Sequence, residues 1–364
     1  MKLGVFTIKS VLLAYFALLF GATVYGFDYP PVKPGYRIRF PRDQGSHPEF
    51  RTEWWYLTGW LTTPAGKPLG FQITFFRMRP PLEGSINPSK FSPQQLLFAH
   101  AAVSDPAFKG LLHDQRSARA GFDLAEAREG ATHVWINDWL LVQTKNGYQA
   151  RIPANAFSLT LEIATTQPPI LQGELGFSQK APDPSHASYY YSQPWLKVNG
   201  SVVRNGKVEI VSGSAWLDHE WSSGYLPKNA VGWDWAGINL ADGGALMLFR
   251  MRDPQGRVLW SGGTLRRPDG SSRIFKPDEI RFTPLRTWRS PRTGAVYPVA
   301  MRLSAGELEW VLEPLLDDQE LDSRLSTGTV YWEGAVRAWG TPRGGTQLGQ
   351  GYLELTGYWQ PLKM

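Results

Sequence analysis

The protein has 364 residues, with 38 basic and 32 acidic side chains, 16 tryptophans and no cysteine. The net charge of +6 is modest for this length, and lysine and arginine do not form runs. Both observations argue against a nucleic-acid-binding function. The lack of cysteine excludes disulfide bonds and a lipid anchor on cysteine, so packing alone must stabilise the fold. Tryptophan is abundant for this length, which suits a wide apolar interior or cleft.

The N-terminal segment is typical of an export signal. Two lysines, Lys2 and Lys9, precede an apolar run from Val11 to Val24, and small residues end that run. We therefore predict a signal peptide at residues 1–26 and a periplasmic or secreted mature protein. The run is short for a transmembrane helix, and an uncleaved N-terminal anchor is the alternative.

The rest of the chain has the pattern of antiparallel β-sheets. Short stretches of alternating apolar residues, such as 53–61, 70–77 and 245–250, are separated by Gly, Pro, Asn and Asp. The abundance of 28 prolines and 37 glycines fits many turns. Only two short segments, 92–98 and 315–325, favour helices. The sequence therefore predicts an all-β protein.

Two internal echoes indicate a duplication. The stretch Trp55-Tyr-Leu-Thr-Gly59 resembles Trp233-Asp-Trp-Ala-Gly237, and each is followed by a hairpin and a Phe-Arg-Met-Arg run. The stretch Gly213-Ser-Ala-Trp-Leu-Asp-His-Glu-Trp221 resembles Gly351-Tyr-Leu-Glu-Leu-Thr-Gly-Tyr-Trp359. Each copy therefore opens and closes on a strand rich in aromatic residues.

The duplication predicts two domains of one architecture. We assign residues 27–225 to an N-terminal domain and residues 226–364 to a C-terminal domain, with a short linker at 222–231. Antiparallel strands whose ends meet favour closure into a barrel, because closure removes exposed edges. We therefore expect two antiparallel β-barrels packed together.

The densest mixture of titratable and aromatic side chains lies in 212–237. Alternation along a strand places His219 and Trp221 on one face, and Asp218 and Glu220 on the other. In the second copy these positions hold no acid or histidine, and Asp234 likewise has no acidic counterpart in the first copy.

A scaffold role shared by both copies cannot explain polar groups that only one copy has. We therefore treat the asymmetric acids and histidine as candidate site residues. The alternative is that they pair with each other, or with arginines such as Arg77 and Arg250, to seal the contact between the domains. Glu53 is expected either to pair with an arginine or to act as a cleft acid.

Several motifs together resemble the AttH/CrtC family of lipocalin-like proteins, which includes carotenoid 1,2-hydratases. The motifs are His47-Pro-Glu-Phe-Arg-Thr-Glu-Trp-Trp-Tyr56, Gln72-Ile-Thr-Phe-Phe-Arg77, Ala99-His-Ala-Ala-Val103, Ser188-Tyr-Tyr-Tyr-Ser192, Ala215-Trp-Leu-Asp-His-Glu-Trp221 and Gly351-Tyr-Leu-Glu-Leu-Thr-Gly357. The resemblance implies two tandem lipocalin-like, calycin-type barrels. It also implies catalytic roles for His219 and Trp221, and for an aspartate that falls on Asp234. The family's aromatic residue is not matched, since Trp233 and Trp235 flank that aspartate and neither is tyrosine.

By this resemblance the protein is a hydro-lyase that adds water to an alkene in an isoprenoid or lipid-like ligand. Asp234 is the expected proton donor, because Trp233 and Trp235 would desolvate it and keep it protonated. Tryptophan faces would stabilise the cation, and His219 would orient the donor or the water. The residues expected to bind the substrate are Trp233, Trp235, Glu53, Trp55, Tyr56, Asp218 and Glu220.

Two other functions remain open. A calycin barrel commonly holds an apolar ligand, so the protein is alternatively a lipid carrier that works with an envelope ABC transporter. A secreted hydrolase is the other alternative, although no Gly-x-Ser-x-Gly elbow occurs. The six histidines are scattered without ligand spacing, so we expect no metal and no other cofactor.

Overall fold

The computed structural model describes residues 29–81, 92–108, 110–340 and 345–362, and these residues form an all-β protein. The predicted signal peptide at 1–26 lies outside the described residues. Within the described part, helical structure is limited to short 3-10 turns at Arg42–Gln44, Pro106–Phe108 and Pro277–Glu279. None of the described helices is long or apolar enough to span a bilayer.

The first sheet is formed by thirteen strands from the N-terminal half of the chain. They are β1 (Thr52–Thr62), β2 (Pro68–Met78), β3 (Leu96–Asp105), β4 (Gly110–Arg119), β5 (Ala125–Ala127), β6 (His133–Ile136), β7 (Trp139–Thr144), β8 (Gly147–Pro153), β9 (Phe157–Ala164), β10 (Ile170–Leu171), β11 (Phe177–Gln179), β12 (Ala187–Arg204) and β13 (Lys207–Gly224). Neighbours follow the order β4-β3-β2-β1-β13-β12-β9-β8-β7-β6-β5, and β10 and β11 pair with β12. Because β3 and β4 contact β6, the sheet curls into a nearly closed barrel.

The second sheet is formed by ten strands from the C-terminal half. They are β14 (Gly232–Leu240), β15 (Ala245–Arg252), β16 (Val258–Arg266), β17 (Ser272–Phe275), β18 (Ile280–Arg289), β19 (Val296–Ala305), β20 (Leu308–Pro314), β21 (Glu320–Ser323), β22 (Thr329–Trp339) and β23 (Gln347–Leu355). Neighbours follow the order β17-β16-β15-β14-β23-β22-β20-β19-β18, and β21 pairs with β22.

The two sheets share one plan, which is the one that the internal echoes predict. In each sheet a four-strand meander ends on an opening strand, and that strand pairs antiparallel with the last strand of the same half. Trp55 lies opposite His219 in the first sheet, and Trp235 lies opposite Glu354 in the second. The exact domain boundaries stay a prediction, although residues 225–231 do connect the two sheets.

The expected helices at 92–98 and 315–325 are wrong. Both segments run into strands, at β3 and β21, because each pairs with a neighbouring strand of its sheet. Apolar clusters this short do not distinguish a helix from a buried strand, and tertiary pairing decides between them.

Side chains on one face of each sheet form the core of that half of the chain. Side chains on the other face pack against the other half. In β1, Trp55 and Leu57 point into the first core, whereas Tyr56 and Trp60 point to the second sheet. The Trp60 indole donates a hydrogen bond to the backbone oxygen of Gly351, 2.9 Å away. The halves are therefore joined by a packed aromatic interface.

A glycine lets the sheets approach each other closely. A Cβ on Gly70 would lie 2.6 Å from the Cβ of Ala335 and 2.7 Å from the hydroxyl of Tyr352, both in the second sheet. Since real Cβ atoms do not approach other atoms this closely, any larger residue at this position would push the two sheets apart.

Candidate active site

A chamber with a volume of about 70 Å³ lies where the two sheets meet. The outward faces of strands from both halves build it, because alternate residues of each strand point away from that half's own core. The chamber is lined by Trp54, Tyr56, Thr74, Phe76, Tyr190, Asp218, Glu220, Tyr225, Trp233, Trp235, Tyr331, Glu333 and Glu354. Eight of these are aromatic, four are acidic and none is basic.

The chamber opens into a wider cleft with a volume of about 530 Å³. The two spaces share five lining residues, Trp54, Phe76, Trp233, Tyr331 and Glu354. Four of these, Trp54, Phe76, Trp233 and Glu354, are partly exposed. A ligand could therefore lie in the cleft while one end reaches the acids of the chamber.

Asp218 has the hydrogen-bond environment of a carboxylate. It accepts hydrogen bonds from the Tyr190 hydroxyl at 2.5 Å, the Ser192 hydroxyl at 2.5 Å and the Trp216 indole at 2.6 Å. Burial raises the pKa of Asp218 to about 7, against the opposing effect of these three donors. The carboxyl group therefore titrates close to neutral pH.

Glu220 is paired with a buried lysine. Its Oε1 lies 2.7 Å from Nζ of Lys180 and also accepts a hydrogen bond from Ser188. Burial raises the pKa of Glu220, and the ammonium group of Lys180 opposes that rise. Glu220 is therefore the chamber acid that has a cation beside it.

Glu333 is in a different environment. Its Oε1 accepts a hydrogen bond from the Tyr56 hydroxyl, whereas its buried Oε2 has no partner among the described residues. Burial, together with the nearby charge of Glu354, raises the pKa of Glu333 well above its ordinary value. An acid that is buried without a cation is stable in its protonated form.

Glu354 lies between the chamber and the cleft. Its Oε2 accepts a hydrogen bond from the Trp233 indole at 2.8 Å. Desolvation by the packed walls raises the pKa of Glu354 to about 7, although the residue keeps some exposure toward the cleft. The chamber thus combines acids of different proton affinity, which is the arrangement that general acid–base chemistry needs.

Five of the predicted site residues line this chamber. They are Tyr56, Asp218, Glu220, Trp233 and Trp235. The strand alternation that separates Asp218 and Glu220 from His219 and Trp221 is present in the structure. The indole of Trp235 also donates a hydrogen bond to Tyr190 across the junction, at 3.0 Å.

The other face of the same strands holds a separate polar network inside the first barrel. Oε1 of Glu53 lies 2.9 Å from Nε2 of His219 and 2.7 Å from Nδ1 of His47. Its Oε2 accepts a hydrogen bond from Nε of Arg77 at 2.8 Å. Glu53 borders the cleft, but its carboxylate is committed to these three side chains and also accepts hydrogen bonds from the Ser46 hydroxyl and the backbone N–H of His47.

Two predicted aromatic residues pack on this network rather than in the chamber. Trp221 stacks on His47 with ring centroids 3.8 Å apart, and Trp55 stacks on His219 at 4.7 Å. Trp55, Trp221 and His219 are therefore structural neighbours of Glu53, separated from the chamber by the thickness of the sheet.

His47, Glu53 and His219 place one ligand atom each within 4.8 Å of one another. The carboxylate of Glu53 is already hydrogen-bonded to both histidines, and the guanidinium of Arg77 lies against it. A permanent cation in contact with the only acid of the group disfavours a metal ion. The expectation that the protein binds no metal stays a prediction.

Asp234 lies on the opposite side of its strand from the two flanking tryptophans. Its carboxylate is fully buried, 2.7 Å from Nε of Arg250 and 2.9 Å from Nε of Arg252. The hydroxyl of Tyr358 donates to it at 3.0 Å. The expectation that Trp233 and Trp235 desolvate Asp234 is corrected, because neighbouring residues of a strand point to opposite faces.

Asp234 is therefore not brought together with His219 and Trp221, nor with the chamber. Its carboxylate is instead the counter-ion of two buried guanidinium groups. We assign it to the packing of the second sheet, which agrees with the arginine-pairing alternative drawn from the sequence.

Sequence reasoning missed several chamber residues. Glu333 and Glu354 each interrupt an otherwise apolar stretch, Val330-Tyr-Trp-Glu-Gly-Ala-Val336 and Gly351-Tyr-Leu-Glu-Leu355. A single acid inside a buried strand was the signal that could have found them. For Lys180 the sequence offers no such signal, because it follows the three-residue strand β11 in a polar segment.

The comparisons with known proteins agree with this fold. The profile of the AttH-like family matches residues 31–358. A solved structure from Nitrosomonas europaea that carries an AttH assignment shares 55% sequence identity and a TM-score of 0.84, covering 90% of this chain and 99% of its own. A search of curated proteins finds no match.

Two more distant structures share the fold alone. Kievitone hydratase from Nectria haematococca is 13% identical with a TM-score of 0.68, covering 92% of this chain and 96% of its own. CghA is 14% identical with a TM-score of 0.50, covering 90% of this chain and 94% of its own. The family profile spans nearly all of the described residues and the 55% identical structure agrees with it, so the chain belongs to the AttH-like family.

Proposed function

We propose that the protein is a hydro-lyase that adds water to a carbon–carbon double bond of an apolar ligand, using the acids of the chamber. The observation that carries this proposal is the unpaired Oε2 of Glu333, which is buried in a chamber that has no basic residue. A protonated carboxyl group in this position has a proton to donate, and none of the described residues accepts it.

The reaction follows from the charges of the chamber. The O–H bond of Glu333 breaks while a C–H bond forms at one alkene carbon, which leaves a positive charge on the other. The faces of Trp235 and Tyr190 and the neighbouring carboxylates stabilise this charge. Water then forms the C–O bond and loses a proton to Asp218 or Glu220, and exchange with water in the cleft returns a proton to Glu333.

The size of the two spaces supports an extended apolar ligand. The chamber has room only for a few atoms and a water, whereas the cleft can hold the remainder of a larger molecule. Isoprenoid and polyene alkenes have this shape and lack charge. Kievitone hydratase is by its name a hydratase with this fold, but its 13% identity extends only to the fold.

The direct test is hydration in H₂¹⁸O. The purified protein is incubated with acyclic isoprenoid and polyene alkenes, and mass spectrometry detects alcohols that carry the heavy oxygen. We expect Glu333→Gln to lower the rate at least about 100-fold, as for loss of a general acid. The exposed Glu307→Gln is the matched control. Hydration that survives in Glu333→Gln would refute the role of this acid.

A second candidate function is transport of the same class of ligand without chemistry. The aromatic rim of the cleft, with Trp54, Trp233 and Trp359, favours it. Export to the periplasm and delivery to an envelope ABC transporter belong to this proposal. A carrier would co-purify with an unchanged lipid, would retain it in Glu333→Gln, and would lose it in Trp233→Ala. Cell fractionation tests the export.

A further inference from the structure

Lys180 is a buried cation directly behind the chamber. Only 1% of the residue is exposed, and Nζ lies 2.7 Å from Oε1 of Glu220 and 2.9 Å from the hydroxyl of Ser178. The lysine does not line the chamber itself. Within the described structure, it reaches the chamber through an ion pair with Glu220 and through contacts with the rings of Tyr190 and Tyr225.

Three aromatic rings surround the ammonium group. Its nitrogen lies 5.0 Å from the ring centroid of Tyr190, 5.1 Å from that of Tyr225 and 4.3 Å from that of Phe249. Tyr190 belongs to the first sheet and Phe249 to the second, so both halves of the chain contribute to the cage. Ring faces partly replace the hydration that a buried ammonium loses.

We infer that Lys180 is a positioning residue that keeps Glu220 ionised, so that Glu220 is the base that takes a proton from the attacking water. This assignment rests on the proposed hydratase function. It selects Glu220 rather than Asp218 as the base of that reaction. The ammonium and the Ser188 hydroxyl both bind Oε1, which leaves Oε2 for the water.

The other groups around Glu220 do not supply a cation. Asp218 on the same strand and Glu354 on β23 are themselves acids, and burial raises the pKa values of the Tyr190 and Tyr225 phenols well above 10. Burial lowers the pKa of Lys180, and the charges of Glu220 and Asp218 oppose this. With Lys180 removed, repulsion and desolvation would both favour a protonated Glu220.

The proton balance of the reaction requires one ionised carboxylate. Glu333 gives one proton to the alkene carbon and the water gives one to Glu220, so the sum is one water added and no net change in protein charge. If Glu220 were protonated, it could not accept that second proton. Lys180 therefore separates the roles of two otherwise similar buried glutamates.

Infrared spectroscopy tests this inference without any substrate. The carbonyl stretch of protonated carboxyl groups is compared at neutral pH between the wild type, Lys180→Met and Lys180→Met/Glu220→Gln, with the exposed Lys207→Met as the matched control. We expect Lys180→Met to gain the signal of one protonated carboxyl group, and the double variant to lose it again. No gain in Lys180→Met would overturn the inference.

A second variant keeps the test decisive if Lys180→Met does not fold. The variant Glu220→Gln is compared with its parent in an Asp218→Asn/Glu354→Gln background, which removes the two other acids that titrate near neutral pH. The protonated-carboxyl signal should be the same with and without Glu220, because the group removed is ionised. A loss of one carboxyl signal would show that Glu220 is protonated and would overturn the inference. Since neither measurement uses hydration, a failure of the proposed function would be seen separately, as missing ¹⁸O incorporation in the wild type.

Discussion

The hydroxyl of Tyr56 in the first sheet donates a hydrogen bond to the carboxyl group of Glu333 in the second. Both side chains are buried, and both line the chamber. The contact that docks the two halves therefore also orients the acid to which we assign the proton transfer. The docking of the halves and the proposed proton transfer therefore involve the same pair of residues.

Tyr56→Phe should destabilise the protein and weaken the contact between its halves. The substitution keeps the ring but removes the one side-chain donor that Glu333 has among the described residues, and an unsatisfied buried polar group costs about 1–3 kcal/mol. The free energy of unfolding in urea measures the loss. Tyr189→Phe is the control, because that hydroxyl contacts the backbone of Lys33 and not the second sheet. An unchanged unfolding free energy in Tyr56→Phe would contradict the role of this hydrogen bond.

A positively charged mimic of the cationic intermediate should bind better than its neutral counterpart. The chamber has acids and aromatic faces and no basic residue, so a tertiary amine attached to an apolar chain places its charge where the carbon cation would form. We expect at least about tenfold tighter binding than for the isosteric hydrocarbon, which corresponds to about 1.4 kcal/mol. Calorimetry at neutral pH measures both ligands, and equal affinities would contradict the cation-stabilising role.

The difference in affinity between the amine and the hydrocarbon should depend on the aromatic residues that line the chamber. Trp235→Leu removes a ring that lies against Tyr56 at 5.2 Å between centroids. We expect the advantage of the amine over the hydrocarbon to shrink in this variant. The control is Trp135→Leu, because Trp135 is half-buried and lines neither the chamber nor the cleft.

Local patterns predicted the fold well because they are repeated. Alternating apolar residues give the strands, and the two echoes give an opening strand paired with a closing strand in each sheet. Alternation also separated Asp218 and Glu220 from His219 and Trp221 correctly, since that depends only on the geometry of one strand.

The site was predicted less well because it is made where two sheets meet. Asp234 was grouped with Trp233 and Trp235 as sequence neighbours, although they point to opposite faces. The asymmetry between the copies also runs in the other direction. In the alignment that places Thr356 opposite Asp218, Glu354 stands opposite Trp216, and the same argument in reverse indicates this acid. The docking of the two halves decides which outward faces meet. The sequence pattern of a single strand does not contain this information.

Asp234→Asn should affect stability far more than chemistry. The change leaves Arg250 and Arg252 buried with no carboxylate partner, and breaking a buried ion pair in this way costs about 3–5 kcal/mol. Thermal and urea unfolding measure the loss, with the exposed Asp138→Asn as the control. A variant that unfolds like the wild type but has lost hydration would restore Asp234 as the proton donor.

The stability of the protein should fall as the pH rises through the range in which His47 titrates. Burial opposes the charged imidazolium, but Glu53 and Asp43 outweigh it and raise the pKa of His47 from 6.5 to about 9. The raised pKa contributes its full stabilisation of the folded state at pH values below 6.5, the pKa of the histidine in the unfolded chain. This contribution is lost as the pH rises to about 9. At about 1.4 kcal/mol for each pKa unit, the loss is on the order of 3 kcal/mol.

Urea unfolding of the wild type and of His47→Gln between neutral pH and about pH 9.5 measures this effect. Asp218 and Glu354, whose pKa values are raised to about 7, also contribute less stability as the pH rises. Their titration is largely complete just above neutral pH, and both residues are present in the wild type and in His47→Gln. The variant should therefore show a flatter decline, whereas the partly exposed His186→Gln should decline like the wild type. Parallel declines in the wild type and His47→Gln would mean that His47 is neutral in the folded protein, and that its contact with Glu53 is an uncharged hydrogen bond.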